Sequence, residues 1–494
     1  MDSQIPNKVV EEWLRAGNLF LEPVAVRPET TYGNSRFDFY VESGETKAFI
    51  EVKGVTLEED GVVRFPDAPS ERAVKHVEEL IRAKKEGYDA YVFLVIQMKG
   101  VRYFTPNMDT QPEFGEVLKK ARAAGVKILA YDCQVTEDSI KIDEEVPVVL
   151  ENPILWETVD PIVAWYRENK RDLPWRHDVT PYRVWVSEIM LQQTRVEAVK
   201  PYFERFMEAL PDTAALAAVP EDRLFKLWEG LGYYNRARNL KKAAGVVMEQ
   251  YGGVIPASWE ALKTLPGIGS YTAGAIASIA YGIPVPAVDG NVLRVISRVT
   301  GSREDILKQS VKKQMEELLL GVMPQEEAGS YNQALIEIGA IVCVPNGEPL
   351  CGECPMASVC VARRDGLTKE IPVKTPKKSR KIEEKTILIL EWEGRTAIRK
   401  RDSSGLLASL YELPGVEGWL EDEALAQMYR VPLAAVRRLP EAKHIFSHVE
   451  WRMRGFAVEL QEKPTGDYLW VTPEEIRETY SLPSAFKAYT MMIR

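Results

Sequence analysis

The stretch Leu262-Lys263-Thr264-Leu265-Pro266-Gly267-Ile268-Gly269-Ser270-Tyr271-Thr272 decides the fold of the central part of the chain. It predicts that one helix ends, the chain turns at two glycines, and a second helix begins. Glycine lets the backbone take a positive φ and approach a ligand closely. Free amides at the start of the second helix suit a phosphate oxygen, so Gly267 and Gly269 are predicted to contact a DNA backbone. The turn alone leaves an ordinary structural role open.

Two carboxylates in apolar surroundings belong to the same helical region. Asp289 follows the apolar run YGIPVPAV and precedes a predicted helix, so a simple helix cap is one interpretation. Glu188 lies in a strongly apolar helix, where a carboxylate is costly unless it is neutral or paired. A salt-bridged core glutamate is therefore the alternative for Glu188. The functional interpretation pairs an acid of raised pKa with an ionised aspartate, as in glycosidic bond cleavage.

Four of the five cysteines lie within 18 residues, with the spacing Cys343-x7-Cys351-x2-Cys354-x5-Cys360. In a chain whose start shows no export signal, this cluster predicts metal ligation rather than disulfides. Zinc is left open by the spacing, although structural zinc sites usually have two close pairs and only one pair here is close. Irregular four-cysteine spacing is compatible with an iron–sulfur cluster.

The length of 494 residues predicts about three domains. Alternating strand and helix patterns over 1–150 predict an α/β domain. Helical periodicity over 151–370 predicts an all-α domain, and returning β patterning over 385–494 predicts a small α+β domain. Residues 371–384 are basic and contain proline, and are interpreted either as an exposed linker or as a DNA contact. The predicted strands of the first domain are Phe37–Val41, Ala48–Lys53, Ala90–Ile96 and Val126–Tyr131, and its predicted helices span 7–16, 70–86 and 112–124.

The formal net charge of −10, taken over the whole chain, argues against nucleic acid as a partner. The acidity is concentrated in residues 1–150, which hold 19 basic and 27 acidic residues, whereas residues 371–494 hold 20 and 18. A local basic face therefore stays possible outside the first domain. The chain shows neither an apolar run of transmembrane length nor a secretory pattern at its start, so a cytoplasmic, membrane-free protein is predicted.

The stretch from about Trp156 to Arg494 resembles adenine DNA glycosylases of the MutY type, in the helix–hairpin–helix superfamily that also contains endonuclease III. The motifs that carry the resemblance are Leu173-Pro174-Trp175-Arg176, Ser187-Glu188-Ile189-Met190-Leu191-Gln192-Gln193-Thr194, Gly230-Leu231-Gly232-Tyr233-Tyr234, the glycine turn, Val288-Asp289-Gly290-Asn291, the cysteines and Phe446-Ser447-His448. The resemblance implies a helix–hairpin–helix glycosylase fold with a 4Fe-4S cluster, followed by a Nudix-like domain.

The resemblance also implies a reaction and a set of residue roles. The enzyme would bind double-stranded DNA as a monomer, flip adenine mispaired with 8-oxoguanine or guanine, and hydrolyse its N-glycosidic bond. Glu188 would protonate N7 of adenine and Asp289 would stabilise the cationic sugar, supported by Tyr271 and Asn291. The implied substrate contacts are Arg171, Leu173, Trp175, Gln333 and Ile336 around adenine, Gln193, Thr194, Leu231 and Tyr233 at the opened duplex, and Ser447 and His448 at 8-oxoguanine.

Tyr271 separates subclasses within this superfamily. Bifunctional relatives carry an attacking lysine at this position, and Leu293, four residues after Asp289, is not a lysine either. Because Schiff-base chemistry needs an amine, a monofunctional glycosylase is predicted. Thymine-specific mismatch glycosylases also carry tyrosine here, so excision of thymine opposite guanine is the alternative, and a lesion-binding protein without catalysis is a third. Phe446-Ser447-His448 favours adenine opposite 8-oxoguanine.

Two departures from the family pattern are present. The first cysteine gap is seven residues, where six is commoner in the family. The C-terminal domain resembles the Nudix fold but lacks the Gly…Arg-Glu-x-x-Glu-Glu metal motif. It is therefore expected to bind a lesion rather than hydrolyse nucleotides.

Asp38 and Glu51-Val52-Lys53 lie on two predicted strands of the first domain, in the pattern of PD-(D/E)xK nucleases. Carboxylates of this kind hold Mg²⁺, and the lysine helps to orient or activate water. Residues 1–150 also resemble the SfsA family, described as DNA-binding and nuclease-like, through Asn34-Ser35-Arg36-Phe37-Asp38, Glu51–Leu57, Phe65-Pro66-Asp67-Ala68 and Ser70-Glu71-Arg72. The family's small N-terminal β domain is missing. A Mg²⁺-dependent nuclease is predicted, with a non-catalytic docking module as the alternative.

Overall fold

The computed structural model describes residues 4–20, 25–376 and 379–493. They form two compact units, Met1–Thr158 (the N-terminal unit) and Val159–Arg494 (the C-terminal unit). Within the described ranges, no helix combines the length and the apolar character that crossing a membrane requires. The three predicted fold types are all present, so the predicted fold class is confirmed.

The N-terminal unit is built on a six-stranded sheet in the order β1-β2-β3-β6-β8-β9. The central strands β3, β6 and β8 run parallel, and the outer pairs are antiparallel. A second sheet has the order β4-β5-β7. The strands are β1 Ala25–Tyr32, β2 Ser35–Ser43, β3 Thr46–Val55, β4 Leu57–Glu59, β5 Val62–Phe65, β6 Asp89–Ile96, β7 Tyr103–Pro106, β8 Lys127–Val135 and β9 Ile140–Glu145.

Three helices cover the two faces of the main sheet. They are α1 Ile5–Arg15, α2 Glu71–Lys85 and α3 Pro112–Ala123. The apolar side of α1, including Val10 and Leu14, joins one buried cluster, whereas α2 and α3 contribute Leu80 and Leu118 to another. Because successive side chains of a strand point to opposite faces, the sheet supplies apolar residues to both clusters.

The first part of the C-terminal unit is helical. The helices are α4 Pro153–Asn169, which begins before the unit boundary, α5 Pro181–Leu191, α6 Val196–Ala209, α7 Thr213–Ala218, α8 Glu221–Trp228, α9 Asn235–Tyr251, α10 Trp259–Lys263, α11 Ser270–Ala275, α12 Gly290–Thr300, α13 Gln309–Val322, α14 Ala328–Ile341 and α15 Val361–Arg364. A π-helical turn at Ile276–Ala280 continues α11. Their core contains Trp185, Phe203 and Trp228, each almost fully buried.

The last part of the C-terminal unit is a β sheet in the order β12-β11-β10-β15-β14, with β13 paired to β10 and β16 to β11. The long central pair β10 and β15 is parallel. Its elements are β10 Lys381–Trp392, β11 Arg395–Lys400, β12 Tyr411–Glu412, β13 Gly415–Glu417, β14 Val436–Ile445, β15 Val449–Glu459, β16 Leu469–Val471, α16 Asp422–Tyr429, α17 Pro473–Glu478 and α18 Lys487–Thr490.

The helical and β parts of the C-terminal unit pack directly against each other. Lys226 Nζ donates to the carbonyls of Ile476 and Tyr480, both at 3.3 Å. Arg238 Nη2 donates to the carbonyl of Ala408 at 2.8 Å, and Leu410 is buried in the helical core. These contacts fix the β part on α8 and α9, beside the loop that joins those two helices.

The segment predicted as a linker, residues 371–384, has more structure than an exposed connector. Ile371 is buried, Val373 forms a bridge with Asp305, and Thr375 Oγ1 donates to the Asp305 carboxylate. Strand β10 begins at Lys381, inside the predicted linker. Lys377 and Lys378, part of its basic run, lie outside the described residues.

Candidate functional site

A cavity of about 700 Å³ lies among α5, the glycine turn, the start of α12 and α14. It is the central cavity of the helical part. Residues far apart in the sequence meet in it, because these elements converge on one place. Of the predicted site residues, its lining includes Arg171, Leu173, Trp175, Glu188, Gln193, Thr194, Gly269, Tyr271, Asp289, Asn291, Gln333 and Ile336.

Glu188 is a buried acid in this cavity. It lies on α5, and the Tyr271 hydroxyl donates to its Oε2 at 2.5 Å. Burial raises the pKa of Glu188 to about 7, and the nearby Asp289 adds to this rise whereas the hydrogen bond from Tyr271 opposes it. At neutral pH a large share of Glu188 therefore carries a proton that it can donate.

Asp289 is held by three hydrogen bonds at the start of α12. Its Oδ1 accepts from the backbone amides of Asn291 and Val292, and its Oδ2 accepts from the Asn291 side chain, all at 2.8 Å. Burial raises the pKa of Asp289, and these hydrogen bonds oppose the rise because they stabilise the charged form. The helix-cap interpretation is correct as geometry, yet the capping carboxylate also faces the cavity.

Glu337 anchors the arginine side of the cavity and was not predicted from the sequence. It is fully buried on α14 and accepts from Arg171 Nε at 2.7 Å and Arg176 Nη2 at 2.8 Å. Burial alone would raise the pKa of Glu337, but the hydrogen bonds from Arg171 and Arg176 lower it to about 2. The sequence did contain a signal for Glu337, because this acid stands in the apolar run ALIEIGAI just as Glu188 stands in an apolar helix.

The glycine turn uses its two glycines differently. Gly267 has a φ of +77°, and a Cβ placed there would lie 2.7 Å from Asn239 Cβ. Gly269 has a φ of −92°, and a Cβ there would meet nothing within 4 Å. The backbone conformation therefore requires glycine at Gly267 but not at Gly269, which precedes the first residue of α11. The contact of both glycines with a DNA backbone stays a prediction.

Two loops beside the cavity carry residues in the left-handed region. Gln193 follows α5 with a φ of 58°, and Tyr233 lies between α8 and α9 with a φ of 47°. Such values are uncommon for residues other than glycine and are maintained only by surrounding contacts. Tyr233 is 50% exposed, so its ring is available to a partner.

Arg236, which the sequence did not single out, joins these two loops. Its Nη1 donates to the carbonyls of Ile189 at 2.8 Å and Gln192 at 2.5 Å. Its Nη2 donates to the carbonyls of Leu231 at 3.0 Å and Gly232 at 3.1 Å. One side chain therefore hydrogen-bonds backbone carbonyls both at the end of α5 and in residues 230–234, which we call the glycine-rich loop.

A second cavity, of about 680 Å³, lies between the glycine-rich loop and the β part of the C-terminal unit. Its lining includes Leu231 and Tyr233 from one side and Ser447 and His448 from the other. Both Ser447 and His448 are exposed, and the Ser447 hydroxyl lies 3.3 Å from His448 Nδ1. Leu231 and Tyr233, two of the residues predicted at the opened duplex, therefore share this cavity with Ser447 and His448, whereas Gln193 and Thr194 line the first cavity.

The four clustered cysteines line one small cavity. Burial raises the pKa of Cys354 to about 11, with the neighbouring cysteines adding to the rise, so a bound cation is needed to keep Cys354 as a thiolate at neutral pH. Among the described residues, the one group of three or more candidate ligands within 4.8 Å of one another is acidic and lies elsewhere. The thiols are therefore more widely spread than a tetrahedral zinc site with Zn–S bonds of about 2.3 Å requires.

Arg294 connects this cysteine cavity to Asp289. Its Nε donates to the carbonyl of Cys343 at 2.8 Å, and its Nη2 donates to Asn291 Oδ1 at 2.9 Å. Since Asn291 in turn donates to Asp289, one continuous set of hydrogen bonds runs from the cysteine segment to the carboxylate.

The N-terminal unit places Asp38, Glu51 and Lys53 on the neighbouring strands β2 and β3. Lys53 Nζ donates to Glu51 Oε1 at 2.5 Å, and Asp38 accepts from the Val52 amide at 2.7 Å. His76 on α2, which was not predicted, also hydrogen-bonds Glu51. Burial alone would raise the pKa of Glu51, but His76 and Lys53 lower it; the pKa of Asp38 is raised by burial and by Glu51. Glu51 Oε2 is buried and has no hydrogen-bond partner within the part of the chain that the structure describes.

Three protein-family models match the chain in sequence order. The model described as the sugar fermentation stimulation protein RE domain (SfsA) matches residues 4–139. The HhH-GPD superfamily base excision DNA repair protein model matches residues 186–320, and the NUDIX domain model matches residues 386–491.

Similar proteins also match separate parts of the chain. The adenine DNA glycosylase of Rattus norvegicus is 33% identical over 66% of this chain and 77% of its own length. The adenine DNA glycosylase of Homo sapiens is 34% identical over 66% of this chain and 72% of its own length. The sugar fermentation stimulation protein homolog of Clostridium beijerinckii is 60% identical over 30% of this chain, which covers 66% of that protein.

Proposed function

Because the chain belongs to the adenine DNA glycosylase family of DNA base-excision repair enzymes, we propose that it hydrolyses the N-glycosidic bond of adenine mispaired with 8-oxoguanine or guanine. The observation that carries the proposal is the meeting of Glu188 and Asp289 in one cavity. Burial raises the pKa of both carboxyls, but Asp289 accepts three hydrogen bonds that stabilise its charged form, whereas Glu188 accepts one from Tyr271. Glycosidic bond cleavage needs one carboxyl that donates a proton and one that stays charged.

Glu188 is the proton donor in this proposal. Its protonated form donates to N7 of a flipped adenine, and the bond from C1′ to N9 then breaks with its electrons passing to the base. The Tyr271 hydroxyl donates to Oε2 and so orients the carboxyl toward the cavity. Tyr271 carries no amine, so the deoxyribose is not attacked by the protein at this position and the enzyme is monofunctional.

Asp289 stabilises the cationic sugar that forms at C1′. Its three hydrogen bonds, including two from the amides of α12, stabilise its charged form and fix its position before the substrate arrives. Water then adds to C1′ and leaves an abasic site.

The adenine pocket is formed around the Glu337 ion network. Glu337 fixes the Arg171 guanidinium at the cavity wall. Gln333 and Ile336 also line the cavity and lie on the same helix, α14, with Gln333 one turn before Glu337 and Ile336 directly before it. Because the Glu337 carboxylate is buried, water cannot replace it as the partner of Arg171, and the guanidinium keeps its geometry.

Recognition of the opposite base is assigned to the cavity that holds Tyr233, Ser447 and His448. A tyrosine ring offsets the stacking that the duplex loses on opening, worth about 1–3 kcal/mol per base. Ser447 and His448 offer hydrogen-bonding groups toward the same cavity, and this supports recognition of 8-oxoguanine opposite the flipped adenine.

Cys343, Cys351, Cys354 and Cys360 would hold a 4Fe-4S cluster. The four sulfur donors, their shared cavity and their wide spacing fit that group better than zinc. When bound, the cluster would link the segment after α14, which carries Cys343, to the residues before α15, which carry the other three cysteines. Arg298 Nη1 on α12 donates to Cys343 Sγ at 3.2 Å, so α12 contacts the same segment.

Base release from a panel of mispaired duplexes tests the proposal. Wild-type protein is expected to release adenine opposite 8-oxoguanine or guanine, and Asp289→Asn is expected to abolish release while it keeps binding to the mispaired duplex. Release of thymine opposite guanine instead of adenine would contradict the proposed substrate. Normal adenine release by Asp289→Asn would contradict the assigned mechanism.

For the N-terminal unit we propose a Mg²⁺-dependent nuclease that breaks the strand at the abasic product. The observation that favours it is the group of Asp38, Glu51, Lys53 and His76, in which the buried Glu51 Oε2 has no hydrogen-bond partner among the described residues. Asp38 and Glu51 would hold Mg²⁺, which supplies Lewis-acid activation of a phosphodiester. Lys53 and His76 orient the Glu51 carboxylate.

Incubation with an adenine:8-oxoguanine duplex, with and without Mg²⁺, tests this second activity. Strand breaks without alkali treatment are expected only with Mg²⁺, and Glu51→Ala is expected to abolish them without changing adenine release. Nicking that survives Glu51→Ala, or the absence of nicking beyond alkali-labile sites, would contradict it and favour a docking module.

A further inference from the structure

A surface cavity of about 540 Å³ in the N-terminal unit is separate from the Asp38–Glu51–Lys53 group but adjoins it. We call it the Arg72 cavity. Its lining combines two sequence motifs, the start of β2 and the start of α2, which lie about 40 residues apart in the chain. The lining residues are Asn34, Ser35, Arg36, Glu71, Arg72, Lys75 and His76.

The Arg72 cavity is locally basic in an acidic domain. The lining holds the exposed Arg36, Arg72 and Lys75 beside one exposed carboxylate, Glu71. Arg36 also pairs with Glu29, which lies outside the lining, at 3.5 Å. Lys75 Nζ donates to the carbonyl of Asn34 at 3.2 Å, which places its charge over the start of β2. The excess of positive charge in the lining attracts an anionic ligand. The rest of the domain is acidic and repels such a ligand, so binding is expected at this cavity.

A hydrogen-bonded path connects the cavity to the candidate nuclease group. Arg72 Nε donates to His76 Nε2 at 3.4 Å, and the opposite ring nitrogen of His76 hydrogen-bonds Glu51. Arg72 therefore lies one side chain away from the carboxylate proposed to act at a phosphodiester.

Ser35 provides an independent observation. It is 5% exposed, it lines the cavity, and its hydroxyl has no hydrogen-bond partner among the described residues. A buried hydroxyl without a partner costs stability unless a ligand completes it. The start of β2 thus carries an unused polar group beside three cations.

We propose that the Arg72 cavity binds a phosphate group of a nucleic-acid strand and so positions the strand at Asp38, Glu51 and Lys53. The inference rests on the nuclease proposed for this unit and adds to it the residues that would hold the substrate. Arginine matches phosphate oxygens with paired donors, and lysine and serine add donors of the same kind.

Calorimetric titration of the full-length protein without added divalent metal tests this inference. The ligands are inorganic phosphate, a thymidine dinucleotide with a 5′-phosphate, and the same dinucleotide without it. The test variant is Arg72→Ala/Lys75→Ala. The matched control is Lys85→Ala/Lys120→Ala, which removes the same charge from exposed positions on α2 and α3 of the same unit. Circular dichroism checks that both variants are folded.

We expect Arg72→Ala/Lys75→Ala to weaken binding of the 5′-phosphorylated dinucleotide at least tenfold, and the control to change it less than twofold. If only binding of the 5′-phosphorylated dinucleotide weakens, the cavity recognises the phosphate at the end of a strand. If binding of both dinucleotides weakens equally, it recognises a phosphate within the strand. Both results support the site. Binding that the test variant leaves unchanged, or that the control weakens equally, overturns it. If Glu51→Ala and wild type bind alike but neither cleaves DNA, the phosphate site stands and the proposed nuclease fails.

Discussion

Glu188 is the residue whose protonation controls the proposed reaction. Its pKa is raised to about 7, mainly by burial, and the protonated form is the one that donates. Single-turnover adenine release is therefore expected to fall as the pH rises through 7, by about tenfold per pH unit at higher pH. Tyr271→Phe removes a hydrogen bond that stabilises the charged form, so the midpoint should move to higher pH.

Tyr331→Phe is the control for this pH profile, since the buried Tyr331 hydroxyl has no hydrogen-bond partner among the described residues. Its midpoint should equal that of wild type. A midpoint that moves to lower pH in Tyr271→Phe would contradict the role assigned to the tyrosine hydroxyl.

Glu337 tests whether the arginine side of the cavity is held electrostatically. Glu337→Gln leaves two partly buried guanidinium groups without their carboxylate, so we expect the free energy of unfolding to fall by about 3–5 kcal/mol. Chemical denaturation followed by tryptophan fluorescence measures the change. Glu317→Gln, which removes an exposed partner of Lys313, should cost less than about 1 kcal/mol.

The pH dependence of stability gives a second measure of Glu337. Its folded pKa, about 2, lies below the ordinary value of 4.5. Its stabilisation is therefore fully present above pH 4.5 and is lost as the pH falls toward 2. If Glu337→Gln keeps the same acid sensitivity as wild type in this range, the ion network contributes less than the geometry indicates.

At the scale of the elements, the glycine turn between α10 and α11 offers a matched pair of substitutions. Gly267→Ala forces a side chain into the left-handed region and against Asn239, so it is expected to destabilise the protein by about 1–3 kcal/mol and to weaken duplex binding. Gly269→Ala has an ordinary φ and open space, and should change stability by less than about 1 kcal/mol. Thermal unfolding and duplex titration measure both effects. Equal losses in the two variants would contradict this distinction.

The elements also show how far the sequence pattern reaches. The predicted strands Phe37–Val41, Ala48–Lys53 and Ala90–Ile96 lie within β2, β3 and β6, and Val126–Tyr131 begins one residue before β8. They were found because buried strands are apolar and β-branched. The edge strands β1 and β9 were not predicted. Their sequences, AVRPETTY and IKIDEE, are polar, since an edge strand is half exposed and pairs through its backbone.

The candidate site divides in the same way. Glu188, Asp289 and Tyr271 were found because they stand in motifs, and the structure brings them into one cavity. Arg236 and His76 were not found, because their roles depend on backbone carbonyls and carboxylates supplied by distant elements. The sequence around Arg236 and His76 does not show which distant elements lie next to them in the fold.

At the scale of the whole molecule, the cysteine cavity belongs to the C-terminal unit alone. If the cysteines hold the proposed 4Fe-4S cluster, wild-type protein absorbs broadly in the visible range, and Cys354→Ala should abolish this absorbance. The same variant should lower the thermal transition of the C-terminal unit, while the N-terminal transition stays unchanged. Differential scanning calorimetry separates the two transitions. Cys133→Ala, a buried cysteine of the N-terminal unit, should lower only the N-terminal transition and keep the absorbance. Stoichiometric zinc in the wild-type protein would contradict the iron–sulfur assignment.

Charge is likewise a property of the parts rather than of the whole. Residues 1–150 carry a net −8, from 19 basic and 27 acidic residues, and account for most of the chain's −10. The chain nevertheless belongs to a DNA repair family, so the average over the molecule did not describe the surfaces that matter. The Arg72 cavity is a further example, because its basic lining differs from the negative average charge of the N-terminal unit.

The shared anchor at Arg236 has an evolutionary consequence. Gln193 and Tyr233 lie on separate loops, and a lineage that altered one of them would still retain the other. A substitution of Arg236 removes the support of both loops in a single step. Position 236 is therefore expected to tolerate fewer changes under selection for low mutation rates than either residue that it supports.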